Sequence, residues 1–129
     1  MSKKQKRILV DMACSVLHHG HIRILKKAYK FGKVIVALTS DKQILKYKKF
    51  KPKLNFKNRK EILLSIKYVS EVIKSNHIIT NEFLKRNKID LLVHGNDNKS
   101  EIDKSKIKIF KRTKNISSTL LRHKSNKKN

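Results

Sequence analysis

Residues 7–25 have the sequence RILVDMACSVLHHGHIRIL. The short apolar run over residues 7–12 predicts a buried strand. Apolar residues recur at helical spacing from Ile22 to Ala28, which predicts a helix over residues 19–31. This stretch is therefore expected to form a strand, a turn and a helix, with a cluster of histidines at the start of the helix.

The rest of the chain continues this alternation of strands and helices. Further strands are predicted at residues 33–39, 69–73, 89–94 and 106–110, and further helices at 57–68, 80–88 and 117–123. Asp41 is a candidate cap for another short helix, and the lysine-dense residues 46–57 are expected to form an exposed loop. Alternating strands and helices predict an α/β domain built on a parallel sheet.

Three polar segments follow predicted strands, and ligands of parallel sheets bind at the carboxyl ends of strands. The histidine turn at residues 18–21 follows the first strand, Gly95-Asn96-Asp97 follows the fourth, and the segment from Arg112 to Arg122 follows the last. We therefore expect all three segments to lie at one edge of the sheet.

The length of 129 residues is typical of a single domain. We expect a basic tail over residues 1–6, a folded domain over residues 7–123 and a polar tail over residues 124–129. We expect neither a transmembrane helix nor a signal peptide, because the apolar runs are too short for either. Cys14 is the single cysteine, which excludes an internal disulfide and predicts a cytoplasmic protein.

The formal net charge is +25, from 34 basic and 9 acidic residues. A charge this high is typical of nucleic-acid-binding proteins, which makes that class a rival interpretation. Most of the basic residues are lysine, and the arginines that form forked contacts to bases are few: Arg7, Arg23, Arg59, Arg86, Arg112 and Arg122. Since lysine, isoleucine and asparagine share A/T-rich codons, part of the charge could reflect genome composition. We therefore do not expect a nucleic-acid partner.

The histidine turn has the composition of an anion site. His18 and His21 lie three residues apart, where a helix N-terminus offers free backbone N–H groups and a favourable dipole. Gly20 between them lets a phosphate chain approach the backbone. The pattern predicts phosphate binding. The alternatives are surface histidines without a function, or a zinc site, for which the local sequence offers no third ligand.

Two other segments carry candidate anion-binding groups. Lys46-Tyr47-Lys48-Lys49 could close ammonium groups over a triphosphate or a second anionic substrate, although a solvated run of charge is the alternative. The segment from Arg112 to Arg122 has hydroxyl residues at the start of a predicted helix and an arginine at each end. It predicts either a second anion cradle or a simple helix cap.

Together these residues resemble the paired signatures of the nucleotidylyltransferase superfamily. The His-x-Gly-His turn of residues 18–21 and the Ile-Ser-Ser-Thr-x-x-Arg segment of residues 116–122 match at opposite ends of the chain. Arg59-Lys60-Glu61, Lys67-Tyr68-Val69 and Gly95-Asn96-Asp97 fall between them in the order of the small cytidylyltransferases. The resemblance covers nearly the whole chain.

The resemblance implies a Rossmann-like, doubly wound sheet of five parallel strands in a homodimer that binds CTP with Mg²⁺. The reaction would transfer CMP from CTP to a small phosphate or phosphonate monoester and release pyrophosphate. By the family pattern the catalytic residues are His18, His21 and Lys48, and Lys46 and Lys67 bind the acceptor. The nucleotide-binding residues are Ala13, Cys14, His19, Gly20, Asp97, Arg112, Thr113, Ile116, Ser117, Ser118, Thr119 and Arg122, and no residue is assigned to a metal.

The chain departs from the family pattern at several positions. Ser15 stands where the family has aspartate, Asn96 and Asn98 interrupt a Gly-Asp-Asp-Trp motif, and Lys67 replaces an arginine. Two further functions therefore stay open. One is an adenylyltransferase of the same superfamily, in which the Ile-Ser-Ser-Thr-x-x-Arg motif also occurs. The other is a non-catalytic nucleotide or nucleic-acid binder on the same scaffold.

Overall fold

The computed structural model describes residues 5–14, 17–76 and 78–93, and the backbone of residues 94 and 107–109. Strands and helices alternate along the described chain: β1 (Arg7–Met12), α1 (His19–Tyr29), β2 (Lys33–Thr39), α2 (Asp41–Lys48), α3 (Phe56–Leu64), β3 (Val69–Ser75), α4 (Asn81–Arg86), β4 (Leu91–His94) and β5 (Ile107–Ile109). This order confirms the predicted α/β class.

The strands form one parallel sheet in the order β3-β2-β1-β4-β5. β1 lies in the middle, where Val10 pairs with Val36 of β2 on one side and with Val93 of β4 on the other. The chain moves outward from β1 to β3 and then crosses to the far side of β1 to form β4. The strand order therefore reverses between β1 and β4, and ligands of open parallel sheets bind at such a point.

Helices cover both faces of the sheet, and each face has its own apolar core. On one face, Val10 of β1 packs with Leu25 of α1 and Leu63 of α3. On the other face, Leu9 packs with Leu84 of α4. These side chains are 0–1% exposed, and full burial of one of them stabilises the fold by about 1.5–3 kcal/mol. The central strands β1 and β2 bury apolar residues on both sides, as covered parallel strands usually do.

The turn between α1 and β2 depends on Gly32. Its φ is +158°, and a Cβ added there would meet the carbonyl oxygen of Lys6 at 2.3 Å. The same carbonyl accepts a hydrogen bond from the backbone N–H of Lys33 at 2.8 Å. Glycine therefore lets the chain before β1 lie directly against this turn, which fixes where β2 begins beside β1.

A mostly exposed loop does form at residues 49–55, but it is shorter than the loop predicted over residues 46–57. Helix α2 extends to Lys48, α3 begins at Phe56, and Pro52 between them is buried. A short helix does form here, but Asp41 is its first residue rather than its cap.

The cap of α2 is Ser40, whose hydroxyl accepts a hydrogen bond from the backbone N–H of Gln43 at 3.2 Å. Serine is a favoured N-cap residue because its short side chain can satisfy a free N–H of the first turn. The predicted strand at residues 106–110 is described as Ile107–Ile109, and the predicted helix at residues 117–123 lies outside the described residues. None of the described helices is long and apolar enough to cross a membrane.

Candidate active site

The turn that follows β1 lies at the carboxyl edge of the sheet, beside the reversal of strand order. Cys14 in this turn has a φ of +52°, in the left-handed region that costs a residue other than glycine roughly 1–2 kcal/mol. Its side chain is buried, and burial raises the pKa of the Cys14 thiol to about 12. The thiol therefore stays protonated at neutral pH. The positive φ of Cys14 is an unfavourable backbone conformation, which the surrounding structure must hold in place.

His18 and His21 form a reciprocal cap at the start of α1. The N-cap residue, His18, is extended, and its Nδ1 accepts a hydrogen bond from the backbone N–H of Gly20 at 3.0 Å. The Nδ1 of His21 accepts one from the backbone N–H of His18 at 3.1 Å. This is a capping box in which imidazoles replace the usual hydroxyl and carboxyl groups. It holds the two rings with their centres 4.0 Å apart.

The cap also determines which ring nitrogen carries the proton. A nitrogen that accepts an N–H bond carries none, so each neutral ring is protonated at Nε2. Burial lowers the pKa of His18, and the neighbouring His19 acts in the same direction. Burial lowers the pKa of His21 to about 4, with further contributions from the charges of His18 and Lys48. Both rings are therefore neutral at neutral pH, and each offers its Nε2–H as a hydrogen-bond donor.

Two of the backbone N–H groups of α1 that were expected to be free for an anion are engaged within the cap. The N–H of Gly20 is occupied by the His18 ring, and the N–H of His21 donates to the carbonyl of His18 at 3.0 Å. Each imidazole accepts one backbone N–H at Nδ1 and leaves its own Nε2–H as a donor.

Lys48 acts electrostatically on one ring of the histidine pair. Its charge is close enough to His21 to disfavour protonation of that ring. Lys48 is the last residue of α2, which ends on Lys49 in the left-handed conformation, with a φ of +62°. Lys46, one half-turn earlier, is exposed, and its Nζ lies 5.2 Å from the centre of the Tyr47 ring. The structure thus places the charge of Lys48 within electrostatic range of His21.

Arg59 of α3 is a fully buried charged residue, with 1% of its surface exposed. Its Nη1 donates to the carbonyl of Ala13 at 2.6 Å and to the carbonyl of Thr39 at 2.9 Å. Its Nε donates to the carbonyl of Leu54 at 3.0 Å, and its Nη2 pairs with the carboxylate of Asp41. One guanidinium therefore links the turn after β1, the end of β2, the start of α2 and the chain before α3.

Neither Arg59 nor Asp41 is among the predicted site residues. The available signal is position, because Arg59 lies four residues before the buried Leu63 and so on the same face of α3. A charged side chain on a buried face needs partners within the protein. Its carbonyl partners come from distant segments, and nothing in the sequence marks them.

The structure also describes other residues predicted for the first turn. Ala13 and Cys14 form the turn after β1, and the carbonyl of Ala13 is held by Arg59. His19 is exposed, with its ring centre 6.1 Å from that of His18.

Lys67 is not brought to this site within one chain. It precedes β3, so it lies near the amino edge of the sheet, opposite the histidine pair. Its Nζ lies 5.2 Å from the centre of the Tyr68 ring. The remaining predicted site residues lie outside the described part of the chain: Asp97, Arg112, Thr113, Ile116, Ser117, Ser118, Thr119 and Arg122. Ser15 lies outside it as well.

The zinc alternative for the histidines gains no third ligand from the structure. Within residues 5–14, 17–76 and 78–93, no three His, Cys, Asp or Glu side chains lie together as a metal site. The histidine pair also commits Nδ1 of each ring to the helix cap.

Comparison with known proteins assigns the chain to a family. Residues 15–124 match the family model described as cytidylyltransferase-like, so the match includes the predicted signature at residues 116–122. The chain belongs to this family. The prediction of a nucleotidyltransferase from its two signatures is therefore confirmed.

Curated relatives within this family have different names. A glycerol-3-phosphate cytidylyltransferase from Staphylococcus aureus is 30% identical over 122 residues, which are 91% of this chain and 92% of the relative. An FAD synthase from Thermococcus sibiricus is 31% identical over 125 residues, 95% of this chain and 83% of the relative. A probable ethanolamine-phosphate cytidylyltransferase from Encephalitozoon cuniculi is 31% identical over 98 residues, 75% of this chain. The match spans only 30% of the length of that protein.

Among solved structures, a lipopolysaccharide core biosynthesis protein from Thermoplasma volcanium has the same fold. It matches with a TM-score of 0.68 over 85% of this chain and 98% of that chain, at 20% sequence identity. At this identity the likeness concerns the α/β architecture alone.

Proposed function

We propose that the protein transfers CMP from CTP to a small phosphate or phosphonate monoester and releases pyrophosphate. Candidate acceptors are glycerol 3-phosphate, phosphocholine, phosphoethanolamine and aminoethylphosphonate. An oxygen of the acceptor attacks the α-phosphorus of CTP, and the bond from that phosphorus to the bridging oxygen breaks, so that pyrophosphate leaves. The observation that carries the proposal is the capped pair of imidazoles at the reversal of strand order, with the charge of Lys48 in electrostatic range of His21.

The proposed role of His18 and His21 follows from their protonation. Their Nε2–H groups donate to phosphate oxygens on which negative charge builds up as pyrophosphate leaves. Donors fixed before the reaction stabilise such a transition state, and loss of one typically costs roughly 10²–10³ in rate. The cap suits this role because the backbone holds Nδ1 of each ring, which fixes how the rings are oriented. Lys48 adds a positive charge near the triphosphate on a flexible side chain.

The other roles rest on the family resemblance. Mg²⁺ enters as part of the substrate, bound to the triphosphate and water. Lys46 binds the acceptor, and because Lys67 lies at the opposite edge of its own sheet, it contributes only to the site of a second copy of the chain. The residues that contact the nucleotide are Ala13, Cys14, His19, Gly20, Asp97, Arg112, Thr113, Ile116, Ser117, Ser118, Thr119 and Arg122.

A second candidate is adenylyl transfer at the same site. The FAD synthase from Thermococcus sibiricus is as similar to this chain as the cytidylyltransferases are. The product in its name contains an adenylyl group, so ATP and a flavin phosphate are the alternative substrates.

The test is a pyrophosphate-release assay that compares CTP with ATP across a panel of acceptors. The panel contains the four cytidylyl acceptors and riboflavin 5′-phosphate. Turnover with CTP and one of the phosphate or phosphonate monoesters supports the proposal. Preference for ATP would overturn it in favour of adenylyl transfer. Absence of turnover with every pair, together with salt-sensitive RNA binding, would identify a non-catalytic binder.

We also propose that the protein is a cytoplasmic homodimer. The unpaired, buried Cys14 supports a reducing compartment. Large apolar side chains that are exposed in the single chain, such as Tyr29, Phe31 and Leu64, are available to a subunit interface. Light scattering during size-exclusion chromatography should give twice the mass of one chain, and a monomeric mass at all concentrations would contradict the dimer.

A further inference from the structure

The proposed site has two walls that come from separate segments. The turn after β1 and the start of α1 carry the histidine pair, and α2 carries Lys48. Lys48 lies at the end of α2 that is remote from β2, so its position depends on how the start of α2 is anchored. A small misplacement of a catalytic group can cost on the order of 10² in rate, so the anchoring matters.

Arg59 contacts both walls. Its Nη1 holds the carbonyl of Ala13, next to the strained Cys14, and its Nη2 holds the carboxylate of Asp41, the first residue of α2. The second carboxylate oxygen of Asp41 accepts a hydrogen bond from the backbone N–H of Phe56 at 3.1 Å. Asp41 therefore also closes the segment between α2 and α3.

The two partners differ in exposure, which makes the link accessible to experiment. The Arg59 side chain is 1% exposed, and the Asp41 side chain is 44% exposed. Removing the guanidinium would leave buried carbonyls without a donor, which threatens the fold. Changing Asp41 to asparagine keeps the shape and an acceptor for Phe56 but removes the charge that holds Arg59.

We propose that Arg59, through Asp41, is a positioning residue that sets where Lys48 stands relative to His18 and His21. The expected effect of Arg59 on the rate of CMP transfer rests on the proposed function. The expected effect of Arg59 on the geometry of the site is independent of that function. The rate and the geometry can be measured separately.

The geometric test uses the ring of His21 as a reporter in NMR titrations of the whole chain. Lys48→Met should raise the pKa of His21, because a nearby positive charge is removed. Asp41→Asn should raise it as well if α2 shifts and carries Lys48 away. The direct effect of losing a negative charge has the opposite sign, since it would lower that pKa further. In that case, adding Lys48→Met to the Asp41→Asn variant should change the pKa of His21 little.

The kinetic test measures kcat and KM for CTP in the same variants. Asp41→Asn should lower kcat about 10-fold, and Arg59→Lys by up to about 100-fold, with a smaller change in KM. Arg7→Lys is the matched control. Arg7 pairs with Glu71 at 3.0 Å and donates to the carbonyl of Asn87 at 3.1 Å, at the far edge of the sheet. It should cost stability but leave kcat and the His21 titration unchanged.

A folded Asp41→Asn variant in which the pKa of His21 does not rise and kcat is unchanged would overturn the proposal, and Arg59 would then be structural only. If the Arg59→Lys variant does not fold, the result for the Asp41→Asn variant alone tests the proposal. If the wild-type protein shows no CMP transfer, the proposed function fails, and the His21 titrations still decide whether Arg59 positions Lys48.

Discussion

An imidazole has two nitrogens, and in His18 and His21 the backbone of α1 occupies one nitrogen of each ring. A substitution at His21 therefore mixes the loss of a helix cap with the loss of a donor. Glutamine separates the two effects, because it is a standard capping-box residue at this helical position.

We expect His21→Ala and His21→Gln both to lower the rate of CMP transfer by roughly 10²–10³. His21→Ala should also lose about 1 kcal/mol of unfolding free energy, because the backbone N–H of His18 loses its acceptor. His21→Gln should keep most of that stability. Steady-state kinetics and urea unfolding measure the two effects. A His21→Gln variant with wild-type rate would show that the cap, rather than the donor, is what transfer requires.

The low pKa of His21 makes stability depend on pH. The ring binds a proton near pH 4 in the folded protein, and near its ordinary pKa of 6.5 in the unfolded chain. As the pH falls from 6.5 towards 4, the unfolded chain binds the proton first, so the folded state loses up to ~3 kcal/mol from this group. Urea unfolding across this range should show less pH dependence in His21→Gln than in the wild type. Equal slopes would contradict the assignment.

Lys88 follows α4 with a φ of +56° and is exposed. Glycine adopts this conformation without the clash between Cβ and the carbonyl oxygen. We expect Lys88→Gly to raise the unfolding free energy by about 0.5–1 kcal/mol, after the entropy lost by glycine is subtracted. Lys85→Gly inside α4 is the control and should lower it by about 1 kcal/mol. Thermal unfolding distinguishes the two, and equal destabilisation would argue against strain at Lys88.

The α1–β2 turn has no room for a side chain at Gly32. A Cβ at Gly32 would stand 2.3 Å from the carbonyl oxygen of Lys6. Backbone must shift to relieve such a contact, so Gly32→Ala should cost at least about 2 kcal/mol. Lys30→Ala, two residues earlier at the exposed end of α1, should stay within about 0.5 kcal/mol of the wild type. Similar stabilities for the two variants would mean that the turn can move freely.

The buried elements were the most predictable from sequence. β1 and β2 have the predicted limits, because strands covered on both faces are continuous apolar runs with polar residues at their ends. Helix α2 was less predictable, since Ile44 is its one buried residue and lysines occupy much of its surface. The first residue of this helix, Asp41, forms an ion pair with Arg59, and the two residues are 18 apart in the chain.

At the scale of the whole molecule, the charge of +25 acts at a distance. A positive field raises the encounter rate with an anionic substrate such as CTP, and salt screens it. We expect kcat/KM for CTP to fall at least about 10-fold as ionic strength rises, with little change in kcat. A neutral solute at matched osmolality is the control. A flat salt dependence would mean that the charge does not steer the nucleotide.

The site was predictable where its chemistry is local in sequence. The turn of residues 18–21 can be recognised from its residue types and their spacing, and the family match includes these residues. The role of Arg59 could not be assigned in that way, because three of its partners are backbone carbonyls that any residue provides and the fourth, Asp41, is 18 residues away in the chain. The geometry of the cap was also needed to determine which nitrogen of each histidine is left for a ligand.

Among the described strands, the central strand β1 is synthesised first, but its second neighbour in the sheet is synthesised much later. β1 pairs with β2 soon after translation, but the strand on its other side begins at Leu91, and the hydrogen bond from Arg7 to Asp90 joins residues 83 apart. Until the ribosome has released that part of the chain, one edge of the apolar run Ile8-Leu9-Val10 has no partner. Open strand edges of this kind recruit other chains. A transcript truncated before codon 91 would therefore yield an aggregation-prone fragment, whatever its histidine turn can bind.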